Sequence, residues 1–200
     1  MSELRSLRET KADVVRSRVV DAVIALLDDG HSPTFKDVAT AAGVPERTVY
    51  RYFPTRAALL SAVFEWTNQQ IGQHGPRPTT EAGVVELVRQ AFRGFDEHAP
   101  VVRQMLIEPD GRAARLADVD ERRRAAIELV RNEAPGLDPA TNDRVAAAIQ
   151  VLTVAATWQS LGEYWDLDGR AAAETSTLAI ELLLDAARAR AHAHNPHLTN

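Results

Sequence analysis

Residues 34–53 read TFKDVATAAGVPERTVYRYF, and Gly43 with Pro45 cuts this stretch into two short pieces. Helices of about two turns are marginal alone, so each piece must fold against the other and against a longer element. Thr34 is placed to cap the first piece, with Asp37 three residues on as the reciprocal partner of a capping box. The spacing predicts a helix over about 35–42, stopped by Gly43, which enters a left-handed turn without steric cost. Pro45 suits a first helical turn and predicts a second helix over about 45–53. Two short helices joined by a tight glycine turn form a helix-turn-helix unit.

Helical spacing continues almost everywhere else, and strand signals are nearly absent. Val15, Val19, Ala22, Val23, Leu26 and Leu27 recur at threes and fours, which predicts a first helix over about 11–29 ended by Gly30. Pro54 interrupts the pattern, and Thr55 caps a longer helix running through Leu59, Ala62, Val63 and Trp66. The stretch HGPRP at 74–78 is the best internal border. Beyond it, helices are expected near 80–98, 100–108, 112–134, 139–165 and 170–191, with 192–200 a flexible tail. The fold class is all-α, with an N-terminal three-helix domain over 1–56 and a C-terminal helical domain over 57–191.

Charge is divided unevenly. Residues 1–56 carry nine Lys/Arg against eight Asp/Glu, and 57–200 carry fourteen against twenty, within a net charge of −5. Within 32–56, Lys36, Arg47, Arg51 and Arg56 face only Asp37 and Glu46. The chain has no cysteine, which excludes disulfides, thiolate metal sites and a cysteine nucleophile. No apolar run approaches the roughly 20 residues of a membrane helix, and the N-terminus has no apolar signal segment, so a cytoplasmic protein without a membrane partner is expected. No Gly-rich phosphate loop, G-x-S-x-G elbow or H-E-x-x-H pair is present. Asp118 and Asp120 lie beside Arg122, Arg123 and Arg124, as on a solvated helix surface, and the chain is not expected to be an enzyme. His192, His194 and His197 imitate metal spacing in a terminal segment without further ligands, so neither metal nor cofactor is expected.

On a helix starting near Pro45, Arg47, Tyr50 and Arg51 share one face, while Val49 and Phe53 share the other with Val38, Ala39, Ala42 and Val44 available beneath them. Arginine forks take paired acceptors on guanine or a phosphate, and tyrosine donates to phosphate while its ring covers sugar or a thymine methyl. An amphipathic first helix followed by TFKDVATAAGVPERTVYRYFPTRAALL, with the ordered pieces A-x-x-A-G-V, T-x-Y-x-Y-F and a cation with A-L-L, together over about 12–62, resembles the tetracycline-repressor (TetR) family of bacterial transcription regulators. The resemblance implies phosphate contacts at Thr34, Thr48, Tyr50 and Arg56. It implies base reading by Lys36 and Arg47, with Arg51 and Tyr52 next. Pro45 stands where the family usually has serine, and Glu46 at the helix front repels phosphate unless it accepts from cytosine. Arg5, Arg8 and Lys11 form either an arm on DNA or a solvated tail.

The same resemblance implies an effector chamber and a homodimer interface in 57–191. Alanine-rich faces on 139–165 and 170–191 permit close helix pairing between two copies, or packing within one. Trp66, Phe92, Phe95, Met105, Leu106 and Trp158 are the candidate ligand-binding residues, and filling a core is their other reading. Asn68, Gln104, Glu108 and Thr157 are polar candidates beside them. The expected function is a ligand-responsive repressor binding roughly palindromic double-stranded operator DNA as a dimer, released by a small apolar or amphipathic effector. The alternative is a helical small-molecule-binding or interaction protein whose DNA-reading module is degenerate.

Overall fold

The computed structural model describes residues 2–70 and 75–194, and every regular element among them is helical. In chain order these are α1 (Ser2–Asp28), α2 (Phe35–Ala42), α3 (Glu46–Tyr52), α4 (Arg56–Gln70), α5 (Glu81–Glu97), α6 (Ala99–Ile107), α7 (Pro109–Leu116), α8 (Val119–Glu133), α9 (Pro139–Leu152), α10 (Ala155–Trp165) and α11 (Gly169–His194). They fall into two compact units. One runs through Thr67 and takes in His98–Arg115; the other holds Asn68–Glu97 and the chain from Leu116 onward.

In the first unit, Val19, Val23 and Leu27 put one stripe of α1 into a core shared with Val38, Ala39 and Ala42 of α2. Val49 of α3, Phe53 and the α4 residues Leu59, Leu60 and Val63 complete its floor. Val101 and Met105 of α6 and Ala114 of α7 enter the same core. The contact division therefore differs from a border at 56/57: a helical pair distant in sequence is folded into the N-terminal unit by its apolar stripe. No local composition marks that return.

The second unit is built on α5 and α11. Val84, Val88, Ala91, Phe92 and Phe95 of α5 are buried, as are Ala172, Ala173, Ile180 and Leu184 of α11. Small residues let these helices come close. Gly169 shows it most plainly, since a Cβ there would fall well inside van der Waals distance of the Phe92 carbonyl oxygen and 2.7 Å from Asp96 Oδ2. Asp96 accepts from the Gly169 N–H, which satisfies an otherwise unpaired donor in the first turn of α11. Farther along, Arg188 donates to carboxylates of Glu81 and Glu133, and so ties α11 to α5 and α8. The Glu81 backbone N–H, 2.8 Å from Glu133 Oε1, together with Arg188, holds the Glu133 carboxyl below the ordinary glutamate range.

Several boundaries differ from the sequence expectation. The first helix begins at Ser2 rather than near 11, so Arg5, Arg8 and Lys11 lie on a helix. The run expected over 112–134 is two helices, parted at 117–118 where Asp118 is drawn into ion pairs with Arg77 and Arg122. The run expected over 139–165 is also two, diverging by 64°. There the β-branched Val151, Thr153 and Val154 weaken the helix, and the Thr153 hydroxyl donates to the Gln150 carbonyl at 2.8 Å. At the end, α11 continues through His194, while 195–200, with His197, lie outside the described residues. No single helix among the described residues is long and apolar enough to cross a membrane.

Gly169→Ala is expected to destabilise the chain by about 1–3 kcal/mol through overpacking, read as a lowered urea midpoint. An unchanged midpoint would show that α5 and α11 separate without cost.

Candidate nucleic-acid interface

The helix-turn-helix begins at the cap of α2. Thr34 Oγ1 accepts from the Asp37 N–H at 3.2 Å, and Asp37 Oδ2 accepts from the Thr34 N–H at 2.9 Å, closing the reciprocal box. The Thr34 hydroxyl also donates to Asp37 Oδ2 at 2.6 Å. Hydrogen bonds from the Thr34 side chain and backbone hold the Asp37 carboxyl below its ordinary range. At the other end Gly43 takes φ 63°, ψ 39°, the left-handed conformation that turns the chain within one residue. The Val44 N–H reaches back to the Ala39 carbonyl at 3.0 Å. Arg18 of α1 donates to the Ala42 carbonyl at 2.6 Å, so a cation sits where the negative end of α2 needs one.

Beyond that turn α3 starts with Pro45 at its cap, which offers no side-chain hydrogen bond. Val49 and Phe53 are buried in the core beside Val38, Ala39 and Ala42. The opposite face presents Arg47, Tyr50 and Arg51, all exposed. Tyr50 lies parallel to Phe35, with ring centroids 4.5 Å apart and planes within 3°. The stack joins α2 to α3 on the outer side and holds Tyr50 in place while it stays 48% exposed. Arg51 folds over its neighbour Tyr52, 4.8 Å from the ring centre, and donates to the Tyr52 hydroxyl at 3.3 Å. Tyr52 is half-buried against the core, and Thr48 is half-buried too. Lys36 is exposed on the first turn of α2.

Arg56 sits differently from the others. At the start of α4 it donates to the Pro33 carbonyl at 2.7 Å, to Ser32 Oγ at 2.9 Å and to Glu108 Oε1 at 3.0 Å. Sequence reading missed Glu108 in this role, as well as Arg18, Phe35 and Arg16, which lies 5.0 Å from the Phe53 ring centre. Arg18 and Glu108 act across 24 and 52 residues, so no local pattern announces them. Phe35 left a signal: an aromatic at the first turn of a two-turn helix whose buried stripe is already filled.

The six candidate ligand residues divide between the units. Trp66, Met105 and Leu106 belong to the first, where Met105 is buried and Trp66 meets His98 edge-on at 5.0 Å. Phe92, Phe95 and Trp158 belong to the second and pack on one another at 5.8 and 5.7 Å. The Trp158 indole N–H donates to Asp96 Oδ1 at 2.7 Å. Of the polar candidates, Gln104 donates to Glu108 and Thr157 to the Val151 carbonyl.

Arg18→Met removes the donor to Ala42 while keeping the apolar stem. It is expected to cost about 1 kcal/mol in urea unfolding, and a neutral result would show that solvent serves that carbonyl equally well.

Residues 28–63 match the family model described as bacterial regulatory proteins, tetR family. Over 108 residues the chain is 30% identical to the HTH-type transcriptional repressor LfrR of Mycolicibacterium smegmatis, an alignment covering 52% of this chain and 56% of that protein. The chain thus spans about half the length of the curated relative it matches. Among solved structures it is similar to native NalD, the secondary repressor of the MexAB-OprM multidrug efflux pump in Pseudomonas aeruginosa. The TM-score is 0.53 with 16% identity, over 88% of this chain and 95% of that one, a likeness of fold alone.

Proposed function

We propose, starting from a chain whose helix-turn-helix segment is that of the TetR family of bacterial regulatory proteins, that it is a DNA-binding transcriptional repressor acting as a homodimer in the cytoplasm. The observation that carries this reading is the two-sided α3. Val49 and Phe53 anchor its back in the core, and Arg47, Tyr50 and Arg51 stand outward on a helix only seven residues long. Such a rod fits a major groove with its side chains at base edges and backbone. In this reading Arg47 and Lys36 read bases, joined by Arg51. Tyr50, Thr48 and Thr34 face phosphates, Tyr52 supports Arg51, and Arg56 supplies a further phosphate contact.

Two such heads on a dimer would enter successive major grooves with centres roughly 34–36 Å apart, on an operator of approximate two-fold symmetry. The pairing surface we assign to α10 and α11, with the end of α9. Leu178 and Leu182 are 57% and 61% exposed one turn apart on α11, and Tyr164 and Trp165 are 80% and 74% exposed at the end of α10. Apolar groups so exposed on consecutive helices favour a second copy as their cover. An apolar or amphipathic effector would have to part the packed rings of Phe92, Phe95 and Trp158 or engage Trp66, Met105 and Leu106. By linkage, effector and DNA would then weaken each other's binding by one shared factor.

A second reading, a helical small-molecule-binding or interaction protein with a degenerate reading module, draws support from particular residues. Pro45 leaves the front of α3 without a side-chain cap, and Glu46 places a negative charge there.

Arg47→Ala is expected to cost about 1–3 kcal/mol on the specific site and to relax base preference at one position. Gel retardation of duplex from upstream of its own coding sequence, across a salt series, measures this. Binding that is absent, or indifferent to salt, would favour the second reading. Leu182→Glu is expected to convert the dimer to a monomer in sedimentation velocity, and a dimer that persists would move the interface off α11.

A further inference from the structure

We propose that Glu108 is a built-in competitor of the DNA backbone: its carboxylate holds Arg56 in the place a phosphate would take. The proposal rests on the DNA-binding reading above and deepens it.

The geometry is specific. Glu108 Oε1 accepts from three donors at once: Arg56 Nη2 at 3.0 Å, Ser32 Oγ at 2.9 Å and Gln104 Nε2 at 3.0 Å. Arg56 meanwhile donates through Nη1 to the carbonyl of Pro33, the residue just before the α2 cap. Carboxylate and phosphate oxygens are acceptors of the same kind for a guanidinium fork. The side chains of Arg56 and Glu108 are 31% and 17% exposed, so the pair borders solvent and a phosphate can reach it. Burial pushes the Glu108 carboxyl up, but the bonds from Ser32 and Gln104 and the Arg56 charge outweigh it and hold the group below the ordinary glutamate range. It is therefore ionised throughout neutral pH.

Magnitudes favour a role in binding over one in stability. A partly exposed ion pair contributes little to folding, whereas one cation withheld from the backbone removes one full counterion from the binding equilibrium. Within 32–56 the cations exceed the acids by two, and Glu108 cancels one of these from a distant point in the chain. The carboxylate is carried at the junction of α6 and α7, at φ −71° and ψ 131°, so the position of that junction decides whether Arg56 is held.

The test compares the full-length protein with Glu108→Gln on a random-sequence DNA duplex by fluorescence anisotropy, across a salt series. Circular dichroism checks each variant's fold, and Glu108→Asp, which keeps the charge but shortens the reach, serves if the glutamine variant melts. The expected result is several-fold tighter binding at low salt and a slope in log K against log salt steeper by about 0.9 per reading head. In an Arg56→Gln background the same substitution should leave the slope unchanged. Equal slopes for wild type and Glu108→Gln, weaker binding by the variant, or an undiminished gain without Arg56 would each overturn the competitor. No binding by the wild type or any variant would overturn the DNA-binding reading itself, and the competitor with it.

Discussion

The left-handed residue at Gly43 is the constraint from which the geometry of α2 and α3 follows. A two-turn helix cannot hold its own direction, so the angle between α2 and α3 is set where the chain reverses. Gly43 supplies a conformation that costs other residues roughly 1–2 kcal/mol, and Arg18 from α1 secures the last carbonyl of α2 beside it. With that corner fixed, burying Val49 and Phe53 leaves only one orientation for the remaining face. The Phe35–Tyr50 stack then closes the outer side. Core and surface are thus two consequences of a single turn.

What was legible in the sequence was local. The Thr34–Asp37 box, the stop at Gly43 and the apolar back of α3 each depend on residues within four positions, and each stands where its spacing places it. Element boundaries failed where side chains compete with helix continuation, as at Thr153 and Asp118. Long-range pairing left no trace at all. Nothing around Glu108 says that it meets Arg56, and nothing around Val101 or Met105 says that they complete the N-terminal core. The candidate ligand residues show the same limit: bulky apolar character was visible, but not that three of the six pack into one unit and three into the other.

The second unit relies on polar joints inside a small-residue seam. Asp96 serves two helices with one carboxylate, taking the Gly169 backbone N–H on one oxygen and the Trp158 indole on the other. Arg188 does the converse, one cation serving Glu81 and Glu133. Each joint fixes relative helix position more sharply than apolar contact can, because hydrogen bonds are directional and apolar packing is not. Ser176, buried on α11 with its hydroxyl unpaired, marks a place where that seam is incompletely satisfied.

The three tryptophans are distributed so that each reports on a separate place. Trp66 lies beside an imidazole in the first unit, Trp158 is buried and tied to a carboxylate in the second, and Trp165 stands exposed on the face assigned to a second copy. Indole emission shifts to the red in water and is quenched by a neighbouring protonated imidazole. The chain therefore carries its own optical labels, and a shift in emission can be traced to one of three indoles by replacing the other two with phenylalanine.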